Sequence, residues 1–191
     1  MDRHCWYTLD IDVSSALLDS WRWPVLAANS VGVYNKHPAS VFTRKWLSTM
    51  SSIGLPVSDL MLFDKPAGYV NDRAHVDTVA RDMAELQVFA VNWVIGGTGS
   101  TMSWYSASNT QPHVAYTSTG IPYASWPLSE LIEIERTNIS LAPTLVRTDI
   151  PHAITVSNES RKCISVRFNT PATDWNSVVA LLHDKQLLLP R

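Results

Sequence analysis

His75 and Asp77 are the first residues whose types and spacing suggest chemistry, because they lie two positions apart in the run AHVD. Successive side chains of a β-strand point to opposite faces, so residues i and i+2 share one face. An imidazole and a carboxylate on the same face of a strand can bind one metal ion. A pair this short also occurs by chance in a chain with 6 histidines, so a metal site needs a third ligand.

His152 is the predicted third ligand. It lies in the run IPHAITV near the end of a β-rich region, and distant strands can meet across the core of a β-sandwich. Two imidazoles and one carboxylate form the facial triad that leaves coordination positions open on Fe(II). A structural zinc site would need four ligands, usually with thiolates, and Cys5 and Cys163 lack the required spacing. The other histidines have no partner pattern and are interpreted as surface or loop residues: His4, His37, His113 and His183.

Arg167 is a cation on an otherwise apolar predicted strand, CISVRF, where it shares a face with Ser165 and Cys163. A buried guanidinium is costly unless an anion pairs with it. A dicarboxylic co-substrate would supply such an anion. Two alternatives remain open: a salt bridge to an internal Asp or Glu, and an edge strand that leaves Arg167 in water.

The strands that must position these side chains lie in the middle of the chain. Seven β-rich runs separated by turn residues are predicted to be strands, at 60–63, 86–95, 100–106, 131–135, 144–148, 153–157 and 163–168. Because no helical pattern interrupts them, they favour an antiparallel sandwich or barrel over a parallel α/β sheet. The segment 96–127 is rich in Gly, Ser and Thr with interspersed aromatic residues, and it is interpreted either as a surface loop or as a lid.

Helical patterns flank this β-rich middle. Apolar residues at i, i+3, i+4 and i+8 from Val13 onward predict a short amphipathic helix that ends before Pro24. A second helix is predicted to begin at Pro38, and a third to begin after the N-cap Asp174. The chain is therefore predicted to be one domain over 1–191, with N-terminal helices at about 12–54, a β core at about 58–169 and a C-terminal helix at about 174–184.

Charge and composition limit the possible partners. The formal net charge is −2 and the pI is about 6.3, so the chain lacks the basic surface of a protein that binds a nucleic-acid polymer. The first residues contain no apolar h-region, and no run of about 18 apolar residues occurs, so we expect a cytoplasmic protein without a membrane segment. The 2 cysteines are expected to be reduced thiols.

Two longer runs resemble the Fe(II)/2-oxoglutarate-dependent dioxygenase superfamily. The run LMLFDKPAGYVNDRAHVD resembles its strand, Pro/Gly turn and HxD motif. The run PTLVRTDIPHAITVSNESRKCISVRF is similar to its distal half, in which a second histidine precedes an arginine on the last core strand. The resemblance implies a mainly β fold with flanking helices, a double-stranded β-helix of the jelly-roll, cupin-like kind.

The resemblance also implies which residues bind the metal and the co-substrate. His75, Asp77 and His152 take the positions that hold Fe(II). Arg167 takes the position that binds the distal carboxylate of 2-oxoglutarate, with Ser165 as a neighbouring hydroxyl. The implied activity is oxidation of a substrate by O2, with hydroxylation as the expected outcome, coupled to conversion of 2-oxoglutarate to succinate and CO2.

Further residues are assigned around this implied site. Arg161 and Lys162 stay open as alternatives to Arg167, although their place beside the turn NES predicts that they are solvated. Asn92 and Tyr69 could reach the co-substrate from neighbouring strands. The residues on either side of Asn92 would then point the opposite way and pack.

The substrate is the part that the sequence constrains least. Trp104, Tyr105 and Arg161 are the candidates for contacting it, and Trp104 with Trp126 could stack on a planar ligand. A small molecule or a peptide side chain fits this acidic chain better than a nucleic-acid polymer. Two other functions remain open: a cupin-type metal enzyme that does not use 2-oxoglutarate and has no task for Arg167, and a non-catalytic jelly-roll binding module with a coincidental triad.

Overall fold

The computed structural model describes residues 4–24, 30–77, 88–107, 110–116, 122–139, 142–170 and 174–190. Strands predominate in these ranges. The elements in chain order are β1 (Trp6–Thr8), β2 (Gly32–Lys36), α1 (Arg44–Ser52), β3 (Val57–Lys65), β4 (Arg73–His75), β5 (Phe89–Gly96), β6 (Thr101–Ser106), β7 (His113–Tyr116), β8 (Pro122–Pro127), β9 (Ile132–Asn138), β10 (Thr144–Arg147), β11 (His152–Thr155), β12 (Arg161–Phe168) and α2 (Trp175–Asp184). Two short 3-10 helices, Pro38–Ser40 and Leu128–Glu130, complete the set.

The strands form two 6-stranded antiparallel sheets. The first sheet has the order β1-β10-β5-β12-β3-β2, and the second has the order β7-β8-β4-β11-β6-β9. Consecutive strands change sheet at every step from β3 to β6 and again from β9 to β12. The fold is therefore a β-sandwich, and each of the seven predicted strands is confirmed within the described residues.

Apolar side chains pack on both faces of the first sheet. On its outer face, alternate residues of β12 pack against the two helices, in a cluster whose members include Trp46, Met50, Leu60, Ile164, Trp175 and Leu182. On its inner face a second cluster joins the two sheets, with Ala90, Val94, Met102, Trp104, Ile154 and Cys163 among its members. Each fully buried large apolar side chain stabilises the fold by about 1.5–3 kcal/mol relative to an exposed one.

The predicted helix that starts at Val13 is wrong. The chain forms turns there, and the side chain of Asp12 accepts a hydrogen bond from the backbone of Ser14 (2.8 Å). The carbonyl of Ala16 then accepts from the backbone of Thr43 (2.7 Å). The apolar residues of this segment still pack on the core, but tertiary contacts rather than helical periodicity position them.

The other two helix predictions are confirmed with one change of boundary. The segment after Pro38 forms a 3-10 turn first, and α1 begins only after Thr43, whose hydroxyl accepts from the backbone of Trp46 (3.3 Å) as an N-cap. Asp174 caps α2 as predicted, accepting from the backbone of Ser177 (3.0 Å). Within the described ranges no helix is both long and apolar enough to cross a lipid bilayer.

The segment 96–127 is not the long loop that its composition predicted. Its described part contains three strands of the second sheet, β6, β7 and β8. β8 pairs with β4, so this segment extends the sheet next to His75 instead of closing over it as a lid. Residues 108–109 and 117–121 lie outside the described residues.

Candidate metal centre

His75, Asp77 and His152 come together on the second sheet. His75 and His152 are cross-strand partners on β4 and β11, and their ring centroids lie 4.6 Å apart. Asp77 follows β4, and its Oδ1 lies 3.6 Å from Nε2 of His75 and 3.8 Å from Nε2 of His152. One ligand atom from each residue lies within 4.8 Å of the other two. We refer to these three residues as the metal triad.

Backbone contacts fix the orientation of two members of the triad. The backbone N–H of Asp77 donates to the carbonyl of Thr148 (3.0 Å), which holds the residue beyond the end of β4. Nδ1 of His152 lies 3.0 Å from the carbonyl oxygen of Ile150. Because a carbonyl can only accept, this contact requires a proton on Nδ1 and leaves the Nε2 lone pair directed at the centre.

The protonation states of His75 and Asp77 suit a bound cation. Burial, followed by the neighbouring His152, lowers the pKa of His75 to about 3, so its imidazole is neutral at physiological pH. Burial alone would raise the pKa of Asp77, but Arg167 and the two histidines lower it to about 2. A neutral imidazole and an ionised carboxylate are the forms that bind a metal ion.

Arg167 on β12 reaches across the sandwich to the triad. Its Nη2 donates to Oδ2 of Asp77 at 2.6 Å, while Oδ1 of the same carboxylate faces the two imidazoles. This is the internal salt bridge that the sequence left open as an alternative. Nη1 of Arg167 is buried without a hydrogen-bond partner in the described part of the chain. Arg167 therefore orients Asp77 and keeps one donor for a further group.

Arg161 is buried, which contradicts the expectation that it is solvated. Only 2% of its surface is exposed, and its Nη2 has no hydrogen-bond partner among the described residues. The burial has a local cause in the glycines that follow β5. Gly97 has φ +66°, and a Cβ there would lie 2.7 Å from Cβ of Arg161, so only glycine allows this close cover. A hydrogen bond to Cys163 directs Arg161 along the inner face of β12.

Lys65 and Tyr69 complete what we call the cationic cluster, together with Arg161. Lys65 is the cross-strand partner of Arg161, and its Nζ lies 3.9 Å from the ring centroid of Tyr69. Burial, then the charge of Arg161, lowers the pKa of Lys65 to about 8. No carboxylate within the described ranges forms an ion pair with either cation. The sequence interpretation missed Lys65, although the alternation of β3 places it on the inner face with Phe63.

Asn92 and Ser165 line the inner face between the cationic cluster and Arg167. They are cross-strand partners on β5 and β12, with 7% and 2% of their surfaces exposed. Oδ1 of Asn92 is buried and has no hydrogen-bond partner in the residues described. Val91 and Trp93 pack on the opposite, helix-covered face, which confirms the predicted orientation of this strand.

Trp104, a predicted substrate contact, is the cross-strand partner of His152 and belongs to the apolar cluster between the sheets. Its side chain is fully buried in β6, and its Nε1 donates to the carbonyl of Arg147 (2.8 Å). Trp126 is also buried, with its Nε1 bonded to the carbonyl of Thr110 (3.1 Å). Both side chains are therefore packed and hydrogen-bonded in the core and are not displayed on a loop.

Two other candidates lie away from the triad or face outward. Tyr105 on β6 is half-buried, and its cross-strand partner is Glu133 of β9. In the strand order, β9 lies on the side of β6 that is away from β4. Lys162 lies on the outer face of β12, with its Nζ 5.5 Å from the ring centroid of Trp23. Lys162 therefore does not share a face with the cationic cluster.

Three residues beside His75 were missed by the sequence analysis. Tyr123 on β8 contacts the His75 ring edge-on, with centroids 5.9 Å apart. Ser125 is the cross-strand partner of His75, and Arg73 donates to it from two positions before His75. The i, i+2 rule that paired His75 with Asp77 also places Arg73 on their face, so this residue was detectable.

Comparison with known proteins finds no relative of this chain. No protein-family model matches the chain, and neither a curated protein nor a solved structure matches it. The residues of the site themselves are therefore the basis for a functional assignment.

Proposed function

We propose that this chain is an Fe(II)- and 2-oxoglutarate-dependent oxygenase. The observation that carries the proposal is a set of buried polar atoms without partners on the inner face beside the metal triad. Nη2 of Arg161, Nη1 of Arg167 and Oδ1 of Asn92 have no hydrogen-bond partner in the described residues. Buried donors of this kind are costly unless a ligand satisfies them. A dicarboxylate that also reaches the metal would accept hydrogen bonds from the two arginine donors.

The strand order supports a jelly roll, the fold expected for this class. Eight strands, β3 to β6 and β9 to β12, form two facing sets with the orders β10-β5-β12-β3 and β4-β11-β6-β9. In each set the last strand, β12 or β11, lies between two earlier ones, which supports the proposal of a double-stranded β-helix. β7 and β8 extend the second set beyond β4, and β1 and β2 extend the first.

The donor set of the triad fits Fe(II). His75 and His152 offer imidazole nitrogens and Asp77 offers one carboxylate oxygen, the combination typical of non-haem Fe(II) oxygenases. Structural zinc would call for four closed ligands, and neither of the two buried cysteines belongs to the group of potential ligands found among the described residues. When bound, Fe(II) with 2-oxoglutarate supplies O2 activation for oxidation of a substrate, expected to be hydroxylation.

The protein's own residues would orient the co-substrate and exclude water. Arg161 and Lys65 offer charge-assisted hydrogen bonds to the carboxylate that lies away from the metal, with Tyr69 beside them. Arg167 is engaged with Asp77, so Arg161 replaces it as the proposed distal anchor. Ser165 and the amide of Asn92 would contact the middle of the co-substrate, in surroundings that burial keeps dry.

The direct test of this function is the release of succinate from 2-oxoglutarate by the full chain with Fe(II) and O2. We expect slow release without added substrate and faster release when a screened compound is a substrate. A matched His75→Ala variant should release none. Iron-bound protein that releases no succinate under any condition would reject the proposal in favour of a metal enzyme without 2-oxoglutarate. If the protein does not bind Fe(II) at all, the alternative of a non-catalytic jelly-roll binding module would be favoured.

A further inference from the structure

One row of cross-strand partners runs across the second sheet through the metal triad. His113, Ser125, His75 and His152 occupy successive positions of this row on β7, β8, β4 and β11. Because cross-strand partners share a face, the surface on the β8 side of His75 is continuous with the metal centre. Whatever binds on that surface lies beside His75, on the side opposite His152.

Arg73 brings a positive charge onto this surface. It is the cross-strand partner of Pro127, but its Nε donates to Oγ of Ser125 (3.1 Å) and its Nη2 to the carbonyl of the same residue (3.2 Å). The guanidinium therefore leans along β4 toward the level of His75. Ser125 is only 2% exposed, so it is a fixed support, and its Oγ has a further contact with the carbonyl of His113 (3.5 Å).

The remaining donors of Arg73 have no acceptor in the described part of the chain. Ser125 engages Nε and Nη2, which leaves the hydrogens of Nη1 for another group. None of the ion pairs among the described residues includes Arg73. A half-buried guanidinium near a divalent cation would be repelled by it, and an anion between them would relieve the repulsion.

We propose that Arg73 and Ser125 form an anion subsite that binds a carboxylate or phosphate monoester group of the substrate. The inference rests on the proposed oxygenase function and names its substrate class. Arg73 on β4 is held by Ser125 of β8, on the side of His75 away from β11, whereas Lys65 and Arg161 of the cationic cluster extend from β3 and β12 of the other sheet. The ring of Tyr123, against His75, offers an apolar surface to the carbon skeleton of the substrate. The substrate class is thus a small organic anion.

The first experiment measures anion binding without turnover. Benzoate and phenyl phosphate are titrated into the full chain, with benzamide and phenol as neutral counterparts, and the NMR signal of the Arg73 Nε–H group is followed. That signal is assigned by its loss in Arg73→Lys. We expect at least one anion to shift it saturably and to bind at least about tenfold more tightly than its neutral counterpart. Comparison of the benzoate and phenyl phosphate titrations shows whether the subsite prefers a carboxylate or a phosphate.

Variants test whether Arg73 carries that preference. Arg73→Gln should weaken binding of the preferred anion at least about tenfold, whereas Arg73→Lys keeps the charge and should weaken it less. Arg44→Gln, on the exposed start of α1, is the matched control and should change nothing. Thermal unfolding of each variant checks that it is folded. Equal binding of anions and neutral counterparts, or unchanged binding by Arg73→Gln, would overturn the subsite.

A second experiment separates this inference from the proposed function. The Michaelis constant for 2-oxoglutarate in substrate-free turnover should be the same in Arg73→Gln and the wild type, because the subsite serves the substrate. A clear rise in this Michaelis constant in Arg73→Gln would overturn the inference, because it would show that the Arg73 guanidinium binds the co-substrate. If the wild type releases no succinate, the oxygenase function fails, and the binding titration still decides whether the anion subsite exists.

Discussion

His75 and His152 face each other as direct cross-strand partners on β4 and β11, with their rings 4.6 Å apart between centroids. Two protonated imidazoles at this separation would repel each other, and His152 contributes to the lowered pKa of His75. Both rings present Nε2 to the same oxygen of Asp77. A cation bound between these three atoms would replace this repulsion by coordination.

Replacement of His152 tests the centre directly. We expect His152→Ala to lower the affinity for Fe(II) or for its substitute Co(II) by at least about 100-fold, since loss of a ligand costs more than loss of a neighbour that orients it. The measurement is metal content after anaerobic dialysis, with Co(II) absorption as a second readout. His183→Ala is the matched control, because that side chain is 82% exposed on α2. Equal metal content in wild type and His152→Ala would contradict the assignment.

Arg167→Met tests the ion pair with Asp77. Both side chains are largely buried, so removing the cation leaves a buried carboxylate without its partner, at a cost of about 3–5 kcal/mol to the metal-free protein. Urea unfolding measures this cost. Arg136→Met, whose pair with Glu133 has a 58% exposed arginine side chain, should cost less than about 1 kcal/mol. Similar costs for the two variants would show that Arg167 is not needed to compensate Asp77.

Arg161→Gln distinguishes the two arginines of β12. We expect the metal affinity to stay within about twofold, while the affinity for 2-oxoglutarate falls about 100-fold, as for removal of one partner of a buried charge pair. Calorimetric titration of 2-oxoglutarate into Co(II)-loaded protein measures the co-substrate affinity, and titration of Co(II) into the metal-free protein measures the metal affinity. Lys162→Gln, on the outer face of the same strand, is the control. Unchanged 2-oxoglutarate affinity in Arg161→Gln would favour the cupin-type alternative. An Arg167 variant could not make this distinction, because Arg167 also orients Asp77.

The strands and the triad were predictable because both depend on alternation along the chain. A period of two identifies a strand, and the same period places His75 and Asp77 on one face. The burial of Arg161 was not predictable from the sequence. It depends on Gly97, which follows β5 and packs against the Arg161 side chain. The helix expected from Val13 failed for a related reason, since contacts with distant residues override a weak local preference.

Trp104→Phe tests whether Trp104 stabilises the core or contacts the substrate. The change removes a buried hydrogen bond to the carbonyl of Arg147, so we expect a loss of about 1–3 kcal/mol in the free energy of unfolding. Trp21→Phe, at a half-buried position, should cost less. Kinetic constants of the folded Trp104→Phe enzyme should stay unchanged. A raised substrate Michaelis constant with normal stability would restore Trp104 to the site.

Lys65 predicts an unusual dependence of stability on pH. Its pKa is about 8 in the folded protein and 10.5 ordinarily, so between these values the unfolded chain holds a proton that the folded protein has lost. Stability relative to Lys65→Met should therefore rise with pH across this window. Below pH 8 the buried charge costs at most about 3 kcal/mol, which makes Lys65→Met the more stable protein there. Urea unfolding from pH 7 to 10 measures the difference, with exposed Lys45→Met as control. A pH-independent difference would contradict the prediction.

Loss of the Lys65 proton also predicts how the affinity for 2-oxoglutarate depends on pH. Protonated Lys65 adds a charge beside Arg161, so the affinity for 2-oxoglutarate should be highest below pH 8 and fall as Lys65 loses its proton above it. Calorimetric titrations at pH 7 and pH 9 measure the change, which should approach about tenfold, because the protonated fraction of Lys65 falls by about that factor. Lys65→Met should bind weakly at both values. If the wild type binds 2-oxoglutarate equally at both, or Lys65→Met keeps the pH dependence, Lys65 does not contact the co-substrate.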